Sequence, residues 1–175
     1  MQTIRRLGLK KHPEGGYFRE TYRANEGISA ARLPARYRGK RNFSTAIYYL
    51  LPEGHFSGFH RLKSDEMLHF YAGAPLTVFM ISAKGRFRQL RLGSRLEKGE
   101  QPQALMPRGT WFAAVSKGDR FESGKLNLSP KNPGFSLLGC TVAPGFDFAD
   151  FEMTPREALL RKFPAQRRWI LKWTH

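Results

Sequence analysis

The sequence predicts an all-β chain, a sandwich or barrel of short strands finished by one C-terminal helix. Two observations carry that expectation. Runs of aromatic, aliphatic and β-branched residues recur between turns rich in Gly and Pro. Helical spacing of apolar residues is clear only near the end of the chain. With 175 residues, 41% of them hydrophobic and 13% aromatic, the chain has enough apolar side chain for one such core.

The elements follow in order. A short amphipathic start (Ile4, Leu7, Leu9) leads into the turn His12-Pro13-Glu14-Gly15-Gly16. Tyr17 to Arg23 alternates in the manner of a strand, and Ala24 to Asn42 is a long basic connection. Phe43 to Leu51 is strand-like and ends at Pro52-Glu53-Gly54. Glu66 to Tyr71 and Leu76 to Ser82 flank the Gly73-Ala74-Pro75 turn, and Lys84-Gly85 opens a hairpin into Arg86 to Leu92. Gln103 to Met106 and Trp111 to Val115 flank Pro107-Arg108-Gly109. Ser116 to Pro133 has loop composition, and Phe135 to Val142 is a further apolar run. Thr154-Pro155 then starts a helix, with Glu157 as a capping-box acid and Leu159, Leu160 and Phe163 as its apolar stripe. Pro164 stops it. No repeat or linker divides the chain, so a single domain is expected, with an N-terminal arm to about residue 24 and a helical tail over 154–175.

Charge and cysteine content narrow the function classes. Thirty Lys and Arg against fourteen Asp and Glu give a formal charge of +16. The excess is concentrated in Arg32 to Arg41, Lys84 to Lys98 and Arg161 to Lys172. Such a field attracts anions, whether phosphorylated metabolites or nucleic acid. No zinc-finger spacing, helix-turn-helix pattern or aromatic RNA-binding sequence accompanies it, so nucleic acid is not the favoured partner. One cysteine, Cys140, excludes an intramolecular disulfide and any zinc centre built on several thiolates. Its apolar neighbours point to a buried, inert thiol. The basic first twelve residues lack the apolar core of a secretory signal. The longest uncharged stretch, Met67 to Ala83, is broken by Gly73 and Pro75. A soluble, cytoplasmic protein without a membrane segment is expected.

The most informative motif is Gly54, then His60, Leu62, Glu66 and Gly73 at spacings of six, two, four and seven. It resembles the first cupin motif, and Pro107-Arg108-Gly109 with Phe112 resembles the second. Four further stretches recur in order: His12 to Phe18, Ser44 to Tyr48, Phe59 through Glu66, and Gly139 to Phe146. Together they are similar to the uncharacterised cupin-5 family of small RmlC-like cupins. The resemblance implies a double-stranded β-helix (jelly roll) with a pocket at the barrel mouth, often in a homodimer. It implies no settled reaction.

Metal-binding cupins place their ligands at positions equivalent to His60, Leu62, Glu66 and Phe112. Two of those four are hydrocarbon here and carry no lone pair, so no metal cofactor is expected. The fallback divalent-metal set is His60, Glu66 and His69. Glu66 and His69 stand three apart and face opposite sides of a regular strand, so a bulge would be needed to join them.

His60 with Glu66 is instead an expected acid/base pair, since a carboxylate beside an imidazole tunes it for proton transfer. Tyr48 is the candidate proton donor, in keeping with the histidine base and tyrosine acid of RmlC-like epimerases. Ser44, Lys63, His69 and Tyr71 are candidate ligand-binding residues, and Trp111 and Phe112 an apolar wall. The expected ligand is a small polar or anionic metabolite. The expected activity is sugar or nucleotide-sugar isomerisation or epimerisation, with non-catalytic ligand sensing as the alternative. Asp147, Asp150 and Glu152 are read as ion-pair partners of the basic surface. Glu14 is assigned to holding its turn.

Overall fold

Apolar residues on both faces of a strand require cover on both faces, and that requirement shapes this protein. The computed structural model describes residues 2–116 and 134–174. Six strands form one antiparallel sheet: β1 (Lys10–Lys11), β2 (Tyr17–Arg23), β5 (Thr45–Pro52), β12 (Phe135–Ala143), β7 (Asp65–Gly73) and β10 (Gln103–Met106), in that spatial order. Five more form a second sheet in the order β13 (Phe151–Met153), β6 (Phe56–Leu62), β11 (Trp111–Ser116), β8 (Leu76–Ile81) and β9 (Phe87–Leu92). Strands β3 (Gly27–Ile28) and β4 (Arg41–Asn42) make a small ribbon inside the 24–42 connection. Helix α1 (Gln2–Arg6) precedes the sheets, while α2 (Arg156–Lys162) and α3 (Arg167–Lys172) follow them.

The strands alternate chain distance and pair across it, as in a jelly roll: β5 pairs with β12, β7 with β12, and β11 with both β6 and β8. Between the sheets lies one core, with Leu51, Leu68, Val78, Met106, Phe112 and Leu138. A second core covers the outer face of the five-stranded sheet, where Phe79, Ile81, Trp111, Ala113 and Val115 meet Leu159, Phe163, Ile170 and Trp173 of the C-terminal tail. All six residues of β11 are therefore buried. Its even-numbered side chains fill the barrel and its odd-numbered ones meet the helices.

The tail differs from the single helix expected. The stripe from Leu159 stops at Pro164 as predicted, but a short 3-10 turn and α3 follow and return Ile170 and Trp173 to the sheet. Pro155 precedes α2, and no side-chain cap bond forms there. The tail is tied to β6 where Phe59 N–H donates to Trp173 O over 2.9 Å. From residue 117 on, the loop expected over 116–133 lies outside the described residues. Among the described residues, no helix is long and apolar enough to cross a membrane.

Candidate functional site

One irregularity in β6 builds the site. Against β11, His60 pairs with Phe112 but Ser57 pairs with Ala114, so β6 carries one residue more than its partner. This bulge puts Ser57 and His60, three apart, on the same inward face. It also frees two backbone donors. Gly58 N–H donates to Glu14 O over 2.8 Å, while Phe59 N–H reaches the C-terminal tail. The bulge thereby docks the N-terminal turn directly beside His60.

The turn itself depends on two glycines. Gly15 has φ +112° and Gly16 φ +70°, a region that favours glycine. A Cβ on Gly15 would meet the Phe56 carbonyl oxygen, and one on Gly16 would meet the Tyr49 hydroxyl at 2.7 Å. Tyr49 Oη donates to Gly15 O over 2.8 Å and clamps the turn from β5. Glu14 is thus delivered into the barrel, 8% exposed.

Glu14 Oε2 lies 3.1 Å from His60 Nε2. His60 Nδ1 is 2.8 Å from Gly58 O, which only accepts, so Nδ1 carries a proton. The Phe112 ring packs on the imidazole at 4.1 Å between centroids and fixes its plane. On the far side of Glu14, its backbone N–H donates to His12 Nδ1 over 3.3 Å. Burial holds His12 below its ordinary pKa, with Glu14 opposing and His60 adding to that effect. His12 is therefore a neutral acceptor at this contact, and its 3.4 Å approach to Glu14 Oε2 is no ion pair.

Glu66 faces the same space from β7. Burial first, and then the charge of Glu14, push its carboxyl up to about 8, so it is protonated at neutral pH. The neighbouring Cys140 thiol hydrogen-bonds it, and is itself raised well above its usual range by burial and by Glu66. Tyr49 is held protonated in the same way, by burial and by Glu14. The cavity between these groups has a volume of about 320 Å³. Phe18, Ile47, Leu62, Val142 and Phe151 give it apolar walls, and Glu20, Arg23 and Asp147 are among its polar lining.

The residues expected from sequence are divided by this arrangement. His60 and Glu66 line the cavity, but the carboxylate on His60 is Glu14. The Tyr48 side chain is on the other face of β5 from Tyr49, 6.1 Å from Tyr71 between ring centroids and under the Arg19 guanidinium at 5.6 Å. Tyr71 is 53% exposed. Neither tyrosine lines the cavity. His69 is spent outside, 3.1 Å from Thr141 Oγ1 and 3.0 Å from Gln103 Nε2. Pairing of β7 with β12 is unbroken from Glu66 to His69, the bulge coming only beyond it at Tyr71, so Glu66 and His69 face apart. The fallback metal set is not brought together.

Ser44 Oγ donates to Val142 O over 3.2 Å, and Lys63 Nζ donates to Ala149 O over 3.1 Å, both outside the cavity. Trp111 belongs to the helix-side core beneath Arg61. Phe112 supports His60 from behind rather than lining the cavity. Of the acids after Gly145, Asp150 pairs with Arg41 at 2.6 Å and Glu152 with Arg61 at 2.8 Å, while Asp147 Oδ1 accepts from Ala149 N–H and lines the cavity. The sequence reading missed Glu14, His12, Tyr49 and Cys140 as cavity residues. The signal available was a carboxylate inside the recurring motif at His12 to Phe18, where a turn alone needs only the glycines.

Comparison with known proteins accords with this architecture. Residues 1–154 match the family model described as Cupin superfamily (DUF985). The chain belongs to that family. It is similar to protein SO0799 from Shewanella oneidensis, with 38% identity, a TM-score of 0.80 and coverage of 99% of this chain and 96% of that one. A hypothetical protein from Leishmania major shows 30% identity, a TM-score of 0.83 and coverage of 98% and 96%. The uncharacterized protein YML079W of Saccharomyces cerevisiae is 29% identical over 156 residues, 85% of this chain and 72% of that one.

The superfamily includes metal-binding cupins, so the donor set matters. At the two remaining ligand positions, Leu62 and Phe112 have no lone pair to offer. Among the described residues, no group of three or more His, Cys, Asp or Glu side chains is placed to hold a metal ion. The residues present do not fit the ordinary cupin centre.

Proposed function

We propose that this cupin binds a small polar metabolite of about one sugar ring and moves a proton on it, as an isomerase or epimerase. The observation that carries this reading is the pairing of Glu14 with His60 opposite a protonated Glu66 in one cavity. Two carboxyl groups held in different protonation states supply a base and an acid at the same pH. Glu14, braced by His60, takes a proton from carbon beside a carbonyl. Glu66 gives its proton to the carbonyl oxygen, and the reverse exchange completes the isomerisation.

The volume supports a small ligand, since it sits near the lower end of the roughly 300–1,000 Å³ typical of ligand sites. The lining also bears on ligand charge. Among the described residues Arg23 is the one Lys or Arg in it, and its guanidinium already donates to Glu20, Asn42 Oδ1 and Phe146 O. An uncharged polyhydroxy compound suits that lining better than the anionic metabolite expected from overall charge.

The test is solvent exchange. Aldoses, ketoses and their phosphates are incubated with the protein in deuterium oxide, and loss of the proton next to the carbonyl is followed by NMR. Exchange by wild type that disappears in Glu14→Gln supports the reading; exchange unaffected by that substitution sinks it. A second reading, ligand binding without turnover, is favoured by the hydrocarbon side chains of Leu62 and Val142 in the wall. Saturable binding with no exchange for any bound compound would select it.

A further inference from the structure

Two of the three basic segments converge in the fold. The C-terminal tail docks on the β8–β9 hairpin: Gln166 Nε2 donates to Gly85 O over 3.2 Å, and the Trp169 ring stacks on Phe87 at 4.9 Å with 8° between planes. Phe163 closes against Gly85, where an added Cβ would lie 3.5 Å from its ring. This packing places Lys84 and Arg86 of the hairpin turn beside Arg161, Lys162, Arg167, Arg168 and Lys172 of the tail, all seven exposed. No Asp or Glu occurs in residues 82–92 or 158–172. The aromatic residues under the face serve as its support. Trp169 and Trp173 lie beneath Arg168 and Lys172 at 5.0 Å each.

We propose that this joint hairpin–tail face is a docking surface for the phosphate backbone of nucleic acid, separate from the barrel cavity. Four of the seven cations are arginines, whose planar guanidinium forks match phosphate oxygens. A membrane surface fits less well, because a peripheral helix binds lipid by inserting an apolar face. Here Leu159, Phe163 and Ile170 are buried against the sheet, and Leu171, 42% exposed, is the main apolar side chain left outward on α3. Phosphate contacts read no bases, so the binding is sequence-independent and steeply dependent on salt.

The experiment is fluorescence anisotropy with a labelled 20-base-pair DNA duplex of mixed sequence, run with the full chain. If about five phosphates are neutralised, affinity falls roughly 10²–10³-fold between 50 and 200 mM salt. The triple variant Arg86→Gln, Arg161→Gln, Arg167→Gln is expected to lose at least tenfold at 50 mM salt. The control Arg32→Gln, Arg38→Gln, which removes two charges from the 24–42 connection, is expected to stay within threefold of wild type. All the substituted side chains are exposed, so thermal midpoints at the wild-type value certify folding. Equal losses in the two variants would mean diffuse attraction by net charge and overturn the proposal. So would absence of duplex binding at 50 mM salt, or binding to phosphatidylserine vesicles in its place. Ligand exchange in the cavity is a separate readout, and neither result bears on the other.

Discussion

Glu14 Oε2 and His60 Nε2 face each other at 3.1 Å, with the opposite ring nitrogen of His60 already committed to the Gly58 carbonyl. Two lone pairs cannot meet at that distance without repulsion, so the contact holds a proton. The β6 bulge fixes both members at once, His60 by facing it inward and Glu14 by the bond from Gly58 N–H.

The first prediction concerns that proton. Glu14→Gln keeps the shape but removes the charge, and is expected to lower turnover about 10²–10⁴-fold, the span usual for a general base. His60→Gln is expected to cause a similar loss. Since the two act as a unit, the double variant is expected to be scarcely worse than either single one. Steady-state rates on whichever compound shows solvent exchange decide it, and additive losses would mean independent roles.

Glu66 gives a prediction in pH. Its folded-state pKa of about 8 stands above the ordinary 4.5. Between those values the folded state keeps a proton that the unfolded chain has released. Stability from this group is therefore fully present below pH 4.5 and is lost as pH rises, with a slope of up to about 1.4 kcal/mol per pH unit, levelling off above 8. Glu66→Gln, which stays neutral, removes that slope. Thermal melts from pH 6 to 9 are expected to show the wild type losing more than the variant, and parallel curves would refute the assignment.

Much of the fold was readable from the sequence, and the site was readable only in part. Turn residues located β2 and β10 to the residue, because Gly and Pro punctuate sharply at their ends. The Glu66/His69 argument from strand alternation also matches the unbroken register there. The partner of His60 was not readable. Glu14 lies 46 residues away in sequence and meets it through a bulge, which leaves no periodic trace. That Tyr49 rather than Tyr48 faces the cavity depends on which face of β5 points inward, and two adjacent tyrosines give no pattern to decide it. In the tail, Pro164 marks where α2 stops but says nothing of a second helix folding back.

Metal content separates this site from metal-binding cupins. Since Leu62 and Phe112 offer no donor atoms, elemental mass spectrometry of untagged protein is expected to find well under one divalent ion per chain, unchanged in His60→Ala. Near-stoichiometric metal lost in that variant would instead require ligands other than the ordinary cupin set.

The last prediction tests how the turn delivers Glu14. Gly15→Ala forces a side chain into a φ of +112° and places its Cβ against the Phe56 carbonyl oxygen, a backbone atom that cannot swing aside. Strain of this kind costs on the order of 1–3 kcal/mol when the backbone conformation persists. The alternative is for the turn to move, which releases the Tyr49 clamp and withdraws Glu14 from His60. The core strands do not depend on the turn, so the variant is expected to fold with a lowered melting temperature. Its loss of turnover is expected to approach that of Glu14→Gln. An alanine variant that melts lower yet turns over at the wild-type rate would show that Glu14 reaches its place without the Gly15 conformation.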